Sequence, residues 1–378
     1  MSGGVDSSVA AGLLVQQGYD VTGAFMCMNL GQPTSNDSSE NPPETPSPHD
    51  NAAGLSSEPP ATKPANQTCC SPQDGADARA VATRLGAGFF VLNFGRDLQT
   101  VVDYFVAEYA RGRTPNPCVI CNSRLKFGKL LSYARAAGMD AIATGHYARI
   151  EQLEGQARLL RGVDDSKDQS YALFGIRRED LASVMFPNGQ YTKQEIRDFA
   201  RQMKLAVHDK SESQEICFVP DDDYPAFVAE RAPELVRPGK VVNTAGEVLG
   251  EHQGVYRYTI GQRRGLGIAL GEPAYVVRID AASNTVVLGN GNDLLRKELE
   301  VTGVNWHADR QPDVAFEAMV QIRYNHRGER ALVRPTLDEA GVLSRASIRF
   351  YEPARAVTPG QAAVFYEGDA VVGGGWIE

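Results

Sequence analysis

A glycine- and serine-rich turn at the start of the chain constrains the fold more than any other feature. It reads Ser2-Gly3-Gly4-Val5-Asp6-Ser7-Ser8 and runs directly into a helix-like stretch, residues 9–14. Adjacent glycines let the backbone approach an anion closely, the serine hydroxyls can donate hydrogen bonds to it, and the N-terminus of the following helix attracts negative charge. The turn therefore predicts a phosphate-binding loop, with a nucleotide as the expected ligand.

The loop lacks the Gly-Lys-[Ser/Thr] ending of a Walker loop, which argues against a generic NTPase. It resembles instead the PP-loop of ATP pyrophosphatases, enzymes that split ATP into AMP and pyrophosphate to adenylate an oxygen. The alternative is a plain glycine–serine helix cap. A phosphate loop normally follows a buried strand, whose loss would expose unpaired sheet edges. Because this loop begins at residue 2, we expect that the start has been assigned one strand too late.

Length and composition predict a soluble, cytoplasmic protein of two or three domains. The 378 residues suffice for a large core, and 42% hydrophobic with 22% charged residues is ordinary for a globular chain. No apolar run approaches the roughly 20 residues that span a bilayer. A secretory signal is not recognisable either, so we expect the six cysteines to be mostly reduced. A monomer without membrane association is the expected state.

The net charge of −9 is unevenly distributed and does not exclude an RNA partner. Residues 31–66 contain five acidic residues against Lys63 alone. Between Glu108 and Asp140, by contrast, there is no acidic residue. A local positive face, rather than net charge, decides nucleic-acid binding. The basic residues around and within this stretch are Arg111, Arg113, Arg124, Lys126, Lys129 and Arg135.

The order of predicted elements indicates an α/β domain followed by two β-rich domains. Strands at 19–26, 89–92 and 141–143 alternate with helices near 75–85, 98–110 and 124–137, which predicts a doubly wound parallel sheet over residues 1–210. The Pro/Ser-rich tract 31–66 is predicted to be a disordered insertion. Thr192 and Glu195 form a capping-box pattern ahead of a further helix. We predict a small central domain at 211–278 and a C-terminal β-barrel at 279–378.

A Cys-x-x-Cys pair, Cys118 and Cys121, follows the proline-rich segment 113–117. By itself the pair is compatible with half a zinc site, a redox pair, or a nucleophile with a neighbouring thiol. Neither a second such pair nor a histidine at finger spacing follows, so structural zinc is disfavoured and we assign no metal ligands. A third thiol, Cys217, lies far along the chain. It would join the site only if folding brought it to Cys121.

Together with the phosphate loop, a series of motifs resembles the tRNA-specific 2-thiouridylase family, the tRNA-uridine 2-sulfurtransferases. The motifs follow the family's order and extend over nearly the whole chain outside 31–66. They are Thr114-Pro115-Asn116-Pro117, Ala143-Thr144-Gly145-His146-Tyr147-Ala148-Arg149, Lys167-Asp168-Gln169-Ser170-Tyr171, Ser213-Gln214-Glu215-Ile216-Cys217-Phe218, Tyr258-Thr259-Ile260-Gly261-Gln262-Arg263-Arg264-Gly265-Leu266-Gly267, Ile322-Arg323-Tyr324 and Thr358-Pro359-Gly360-Gln361.

The resemblance implies ATP-dependent 2-thiolation of the wobble uridine of tRNA, with ATP and Mg²⁺ as cofactors. The C2 oxygen would be adenylated, and sulfur would then displace it. Cys217 would carry the sulfur as a persulfide received from a sulfur-relay donor protein. Cys121 would be the nucleophile that frees this sulfur, leaving a disulfide between the two cysteines for a cellular reductant to reset. A basic helix beside the thiols would favour the thiolate.

The resemblance also implies binding positions. The ATP-binding positions are Ser2, Gly3, Gly4, Val5, Asp6, Ser7, Ser8, Met26 and Gly145. The target base would be held by Asn116, Pro117 and Cys118. Other tRNA contacts would come from His146, Lys167, Asp168, Gln169, Arg323, Tyr324 and Gln361. Taken singly, each of these residues also has an ordinary structural interpretation, such as a turn for Gly145 or core packing for Met26.

The chain departs from the family at Cys118, where many members have Asp. Three thiols, Cys118, Cys121 and Cys217, would then be within reach of one another, which is the ligand set of an iron–sulfur cluster with one open site. Cys69 and Cys70 match the family poorly. Two further functions are kept as alternatives: another PP-loop ligase or amidotransferase that adenylates a small metabolite, and an inactive RNA-binding module.

Overall fold

The structure is a computed structural model that describes residues 1–28, 71–153, 155–210, 216–268, 272–308, 314–339, 341 and 343–378. The predicted insertion at 31–66, Cys69, Cys70 and the motif residues 213–215 lie outside these ranges. In the described ranges, no helix is both long and apolar enough to cross a membrane.

The N-terminal domain is α/β with parallel strand pairs, which confirms the predicted class. Strand β1 (Thr22–Cys27) pairs in parallel with β2 (Gly88–Asn93), and β3 (Ile142–Ala143) pairs in parallel with β6 (Val184–Met185). No described strand joins the two pairs. The amino group of Met1 donates to the carbonyl oxygen of Ala24, so the start of the chain lies against β1.

The helices of this domain begin where their capping signals stand. Helix α1 (Val5–Gln16) follows Gly4, and α2 (Pro72–Leu85) begins after a capping box made by Ser71 and Asp74. The predicted capping box of Thr192 and Glu195 is present at the start of α6 (Lys193–Gln202). Each box satisfies backbone N–H groups that the first helical turn leaves without partners. Between α2 and α6, helix α3 spans Gly95–Ala110.

The cysteine pair lies on a continuous helical segment that contains a π-helical stretch. Helix α4 (Pro117–Ile120) leads into the π-helical residues Cys121–Leu130, and α5 (Leu131–Ala136) completes the segment. A Cβ atom at Gly128 would lie 2.9 Å from the carbonyl oxygen of Ser123, five residues earlier. Glycine therefore permits the wider helical turn here. Such turns are rare and often found at functional sites.

The central domain is built on a four-stranded sheet in the order β8-β7-β10-β9. Its strands are β7 (Gly239–Asn243), β8 (Val248–His252), β9 (Tyr275–Asp280) and β10 (Thr285–Gly289), preceded by α7 (Tyr224–Arg231). The predicted boundary at residue 278 falls inside β9, and the sheet continues to Gly289. The alternation that marks a strand in a sequence carries no information about which sheet the strand joins.

The C-terminal domain is a closed barrel, as predicted. Its strands follow the order β11-β14-β13-β12-β15-β16, and β16 pairs back with β11. A hairpin of the N-terminal domain, β4 (Ala148–Leu153) and β5 (Gln156–Arg161), joins this sheet at β16. The barrel strands are β11 (Leu295–Trp306), β12 (Phe316–Gln321), β13 (Glu329–Leu337), β14 (Leu343–Arg355), β15 (Ala362–Glu367) and β16 (Ala370–Ile377).

Candidate functional site

The predicted phosphate loop has the geometry of an anion cradle. Gly3 has a φ of +74°, and a Cβ atom there would lie 2.4 Å from the carbonyl oxygen of Asp74, so only glycine fits. Gly4 is the N-cap of α1 and supplies no capping side chain. The Ser8 hydroxyl donates to the carbonyl oxygen of Gly4 at 2.8 Å. The first N–H groups of α1 are thus available for a phosphate.

Gly145 closes the other side of the loop. A Cβ atom at Gly145 would lie 2.6 Å from the backbone nitrogen of Ser7, so the two segments are in direct backbone contact. The buried Asn188 side chain donates to the carbonyl oxygens of both Asp6 and Gly145, at 3.0 and 3.2 Å. The structure therefore brings together two of the segments predicted to bind ATP. No sequence motif pointed to Asn188, because its partners lie far away in the chain.

Two lysines fix the loop from outside. Lys193 donates to both carboxylate oxygens of Asp6, at 2.7 and 2.9 Å, and the Tyr147 hydroxyl donates to Oδ1 at 2.8 Å. Lys210 donates to the carbonyl oxygen of Gly3 at 3.1 Å and to the carboxylate of Asp74 at 2.6 Å. Lys210 also lowers the pKa of Asp77 through a hydrogen bond. Sequence reasoning missed both lysines.

The described residues do not form a metal site. No group of three His, Cys, Asp or Glu side chains among them is arranged to hold a metal ion. In the loop itself, the carboxylate of Asp6 is already engaged by Lys193 and Tyr147. The iron–sulfur alternative, which needs three cysteine ligands, therefore finds no fitting ligand set among the described residues. Mg²⁺ that binds with ATP takes most of its ligands from phosphate and water oxygens and needs no such group. No chemical step below is assigned to either.

Two of the thiols are brought together although they lie far apart in sequence. Cys121 is buried, Cys217 is half-buried, and both belong to one apolar cluster. Phe218 and the predicted ATP-binding residue Met26 pack in the same cluster, as does Trp376 of the barrel. The convergence that the sequence left open is thus present in the fold.

Two opposing effects act on the pKa values of Cys118 and Cys121: burial raises them, and a nearby lysine lowers them. Burial raises the pKa of the Cys121 thiol, the charge of Lys126 lowers it, and Cys217 raises it further. Cys118 retains exposed surface, yet the protein around its sulfur raises its pKa to about 11, again against the influence of Lys126. Lys126, which lies on the predicted basic helix, lowers the pKa of both thiols by its charge.

The segment before the thiols is held by the barrel and the central domain. Thr114 donates its N–H to the carbonyl oxygen of Pro359 at 2.9 Å, and its hydroxyl lies 3.2 Å from that of Thr259. The side-chain nitrogen of Gln361 donates to the carbonyl oxygens of Thr114 and Pro115, both at 3.1 Å. The predicted base-binding residues Asn116, Pro117 and Cys118 follow directly.

Arg113 strengthens the same junction. It donates to the carbonyl oxygen of Ile377 at 2.9 Å and pairs with the buried carboxylate of Glu108 at 2.8 Å. Arg113 therefore ties the end of α3 to the last strand of the barrel. Its position in the basic stretch was visible in the sequence, but its partner in β16 was not.

The predicted tRNA contacts of the N-terminal domain have strong internal partners. The Asp168 carboxylate accepts from the N–H of Gly162 and from Ser170, and pairs with Arg161 at 2.9 Å. Gln169 accepts from the N–H of Tyr147 at 3.0 Å. These contacts organise the loop that carries Lys167, while contact with tRNA stays a prediction for all three predicted residues.

His146 and the barrel residues differ in exposure. His146 packs against Phe127 and Phe186, and burial lowers its pKa well below 6.5, so its ring is neutral at pH 7. Arg323 donates to the carbonyl oxygen of Arg355 at 2.9 Å, and Tyr324 is 46% exposed. Of these, Tyr324 offers the most open surface to a partner.

An α/β domain that carries both an anion cradle and a pair of convergent thiols, joined to two β domains, defines a multidomain nucleotide-binding enzyme. Family models agree along the chain. Residues 1–221 match the tRNA methyl transferase HUP domain, 225–290 the tRNA methyl transferase PRC-barrel domain, and 296–377 the aminomethyltransferase beta-barrel domain.

Curated relatives cover the whole chain. Proteins named tRNA-specific 2-thiouridylase MnmA are 47% identical over 381 residues in Geotalea uraniireducens and 48% identical over 384 residues in Geobacter metallireducens. The alignments include 100% of this chain and 93% and 95% of those relatives. The chain belongs to the tRNA-specific 2-thiouridylase family. The predicted family and enzyme class are confirmed.

Proposed function

We propose that this chain is a cytoplasmic, ATP-dependent enzyme that replaces the C2 oxygen of the wobble uridine of tRNA with sulfur. One observation carries the proposal: Cys121 and Cys217 pack in one apolar cluster that also contains Met26. A nucleotide-activating loop alone would serve many reactions. A pair of convergent thiols on the same domain is what a sulfur transfer requires in addition.

The first step activates the base. The cradle of Gly3, Gly4 and the first turn of α1 binds the triphosphate of ATP, and the backbone of Gly145 closes its other side. The uracil C2 oxygen attacks the α-phosphorus, and pyrophosphate leaves. Esterification as AMP converts a poor leaving group into a good one. Asn116, Pro117 and Cys118 hold the base during this step.

The second step transfers sulfur. Cys217 receives a sulfane sulfur from a relay protein and carries it as a persulfide. The Cys121 thiolate attacks the Sγ atom of Cys217, the bond between Sγ and the sulfane sulfur breaks, and hydrosulfide is released as the Cys121–Cys217 disulfide forms. Hydrosulfide adds to C2, and AMP leaves with the former C2 oxygen. A cellular dithiol reduces the disulfide and is itself oxidised.

Burial of Cys121 limits adventitious oxidation but also raises the pKa of its thiol. Lys126 counteracts this effect and favours the thiolate that must attack. The balance suits a nucleophile that should react with one persulfide held beside it rather than with solutes. Contacts of tRNA with His146, Lys167, Asp168, Gln169, Arg323, Tyr324 and Gln361 complete the proposal.

The test measures the two steps separately on the purified protein with tRNA, ATP and a persulfide donor. Pyrophosphate release reports adenylation, and mass spectrometry of digested tRNA reports 2-thiouridine. In Cys121→Ser and Cys217→Ser we expect adenylation to persist and thiolation to stop. Cys27→Ser, a free cysteine outside the cluster, is the matched control and should retain both.

Two results would contradict the proposal. Thiolation that continues in Cys121→Ser or Cys217→Ser would exclude the thiol pair as the transfer machinery. Pyrophosphate release that depends on a small metabolite and not on tRNA would instead support the alternative PP-loop ligase or amidotransferase. The experiment therefore distinguishes the two functions that the phosphate loop permits.

A further inference from the structure

An arginine-rich cavity lies on the central domain, outside the site described above. Its volume is about 640 Å³, and it is open to solvent on one side. Arg257, Arg263 and Arg264 line it together with Tyr224 and Thr259. Thr259, Arg263 and Arg264 belong to the Tyr258–Gly267 motif, to which neither proposed chemical step assigns a task. The proposed chemical steps therefore leave the role of this cavity unassigned.

Arg263 and Arg264 lie on a turn, residues 259–264, that is held by its own hydrogen bonds. The side chain of Gln262 accepts from the N–H of Thr259 at 3.1 Å and donates to the carbonyl oxygen of Arg264 at 3.0 Å. Gly261 has a φ of +87°, and a Cβ atom there would lie 2.9 Å from that of Ala356 in the barrel. Because its ends are cross-linked through one side chain, the turn holds Arg263 and Arg264 outward, where both are exposed.

The three guanidinium groups are not neutralised by ion pairs with carboxylates of the described residues. Two acidic residues lie near the rim of the cavity. The charge of Asp223 raises the pKa of Tyr224, and the charge of Asp222 raises that of Tyr109. The Asp223 carboxylate accepts from the N–H of Ala226 at the start of α7. In a chain with a net charge of −9, this concentration of free positive charge is a local feature that would attract an anion.

The position of the cavity indicates which class of anion it binds, because it lies between the thiol cluster and a second cavity. Tyr224 stacks on Tyr109 at 4.8 Å, and both belong to the apolar cluster that contains Cys121 and Cys217. On its other side the cavity shares Thr259 with a second cavity of about 450 Å³. That second cavity is lined by Thr114, just before the base-binding residues, and by two arginines and a glutamine of the barrel, Arg323, Arg355 and Gln361.

We propose that Arg257, Arg263 and Arg264 bind backbone phosphates of the nucleotides that flank the reacting uridine. This inference rests on the proposed function. A guanidinium group matches a phosphate with two parallel hydrogen bonds, and such contacts set the position of a nucleic acid without reading its sequence. The shared edge at Thr259 contacts Thr114, two residues before the segment at 116–118, so the two adjoining cavities lie next to the place where the base would enter. An RNA strand fits such an extended arrangement better than an acidic protein surface does.

The test uses the full protein with the double substitution Arg263→Gln and Arg264→Gln. We expect the Kd for tRNA to rise by about tenfold for each guanidinium lost, and the slope of log affinity against log salt to fall by about one per lost phosphate contact. The rate of pyrophosphate release at saturating tRNA should stay within about twofold of wild type. Arg201→Gln, an exposed arginine on α6 paired with Asp198, is the matched control.

A second arm identifies the phosphates. Neutral methylphosphonate linkages beside the target uridine should weaken binding to the wild type and have no further effect on the double variant. Unchanged tRNA affinity and salt slope in the variant would overturn the inference, as would a loss of affinity for the sulfur donor protein instead. If wild type bound tRNA without ever releasing pyrophosphate, the proposed function would fail while the binding test still stood.

Discussion

The phosphate loop and the thiol-bearing segment are held in place in different ways. The loop is fixed within its own domain, by Lys193 on Asp6 and by Lys210 on Gly3 and Asp74. The segment at 113–117 depends on other domains, through Gln361, Pro359 and Thr259. Nucleotide binding is therefore self-contained, whereas the geometry of the base and thiols depends on how the three domains assemble.

The largest effect is expected from Gly3→Ala, which tests whether ATP binding depends on the backbone shape of the phosphate loop. The added Cβ atom would lie 2.4 Å from a backbone carbonyl oxygen at a φ of +74°, so the loop must shift. A displacement of about 1 Å at a reacting group can cost roughly 10²-fold in rate. We expect ATP binding and pyrophosphate release to fall by at least that factor, as measured by calorimetry and steady-state kinetics.

The control for this substitution is Gly86→Ala. Gly86 has a similar φ of +70°, but nothing lies within 4 Å of its Cβ position. It therefore reproduces the backbone strain without the collision. If Gly86→Ala lowered ATP binding as much as Gly3→Ala, general destabilisation rather than the shape of the loop would explain the result.

Lys193→Met should have the next largest effect. Without Lys193, the carboxylate of Asp6 loses its cationic partner, keeps the hydrogen bond from the Tyr147 hydroxyl, and would repel the triphosphate of ATP. We expect ATP affinity to fall by about tenfold, with tRNA affinity unchanged. Lys193→Arg retains the charge and should recover part of the loss. Equal weakening of tRNA and ATP binding would contradict a self-contained nucleotide site.

How much of this could be predicted from the sequence depends on the range of each interaction. The capping box at Thr192 and the β-rich composition of the C-terminal part carry local signals, and the structure contains both the cap and the predicted barrel. Asn188, Lys193 and Lys210 act on the phosphate loop from a distance of well over a hundred residues, and no spacing rule connects them to it. The hairpin that joins β16, and the membership of β9 in the central sheet, likewise depend on long-range pairing.

Gln361→Ala tests whether the segment at 113–117 depends on the barrel for its position. It removes two hydrogen bonds to the carbonyl oxygens of Thr114 and Pro115 and should loosen the segment before Asn116. Two such bonds contribute about 2 kcal/mol to holding the segment in place, and with about half of that expressed in the rate we expect turnover at saturating tRNA to fall by about fivefold, with ATP affinity unchanged. A higher KM for tRNA with unchanged kcat would show instead that Gln361 only contacts tRNA.

The smallest effect is expected from Lys126→Ala, which changes the ionisation of the nucleophile without touching either binding site. Burial already raises the pKa of Cys121, and Lys126 opposes that rise, so its removal should raise the pKa further. The thiolate fraction at a given pH then falls, and the rate of alkylation of Cys121 by iodoacetamide should reach its midpoint at a higher pH. We expect a loss of roughly two- to threefold in thiolation near pH 7.5, with adenylation unchanged.

Lys129→Ala is the matched control, since Lys129 lies on the same π-helical stretch but pairs with Asp97 at 2.7 Å. Its alkylation profile should coincide with that of wild type. Should both variants shift the profile equally, the effect would belong to the charge of the whole helix. A shift confined to Lys126→Ala would mean that the thiol segment, although positioned by other domains, is tuned electrostatically from its own helix.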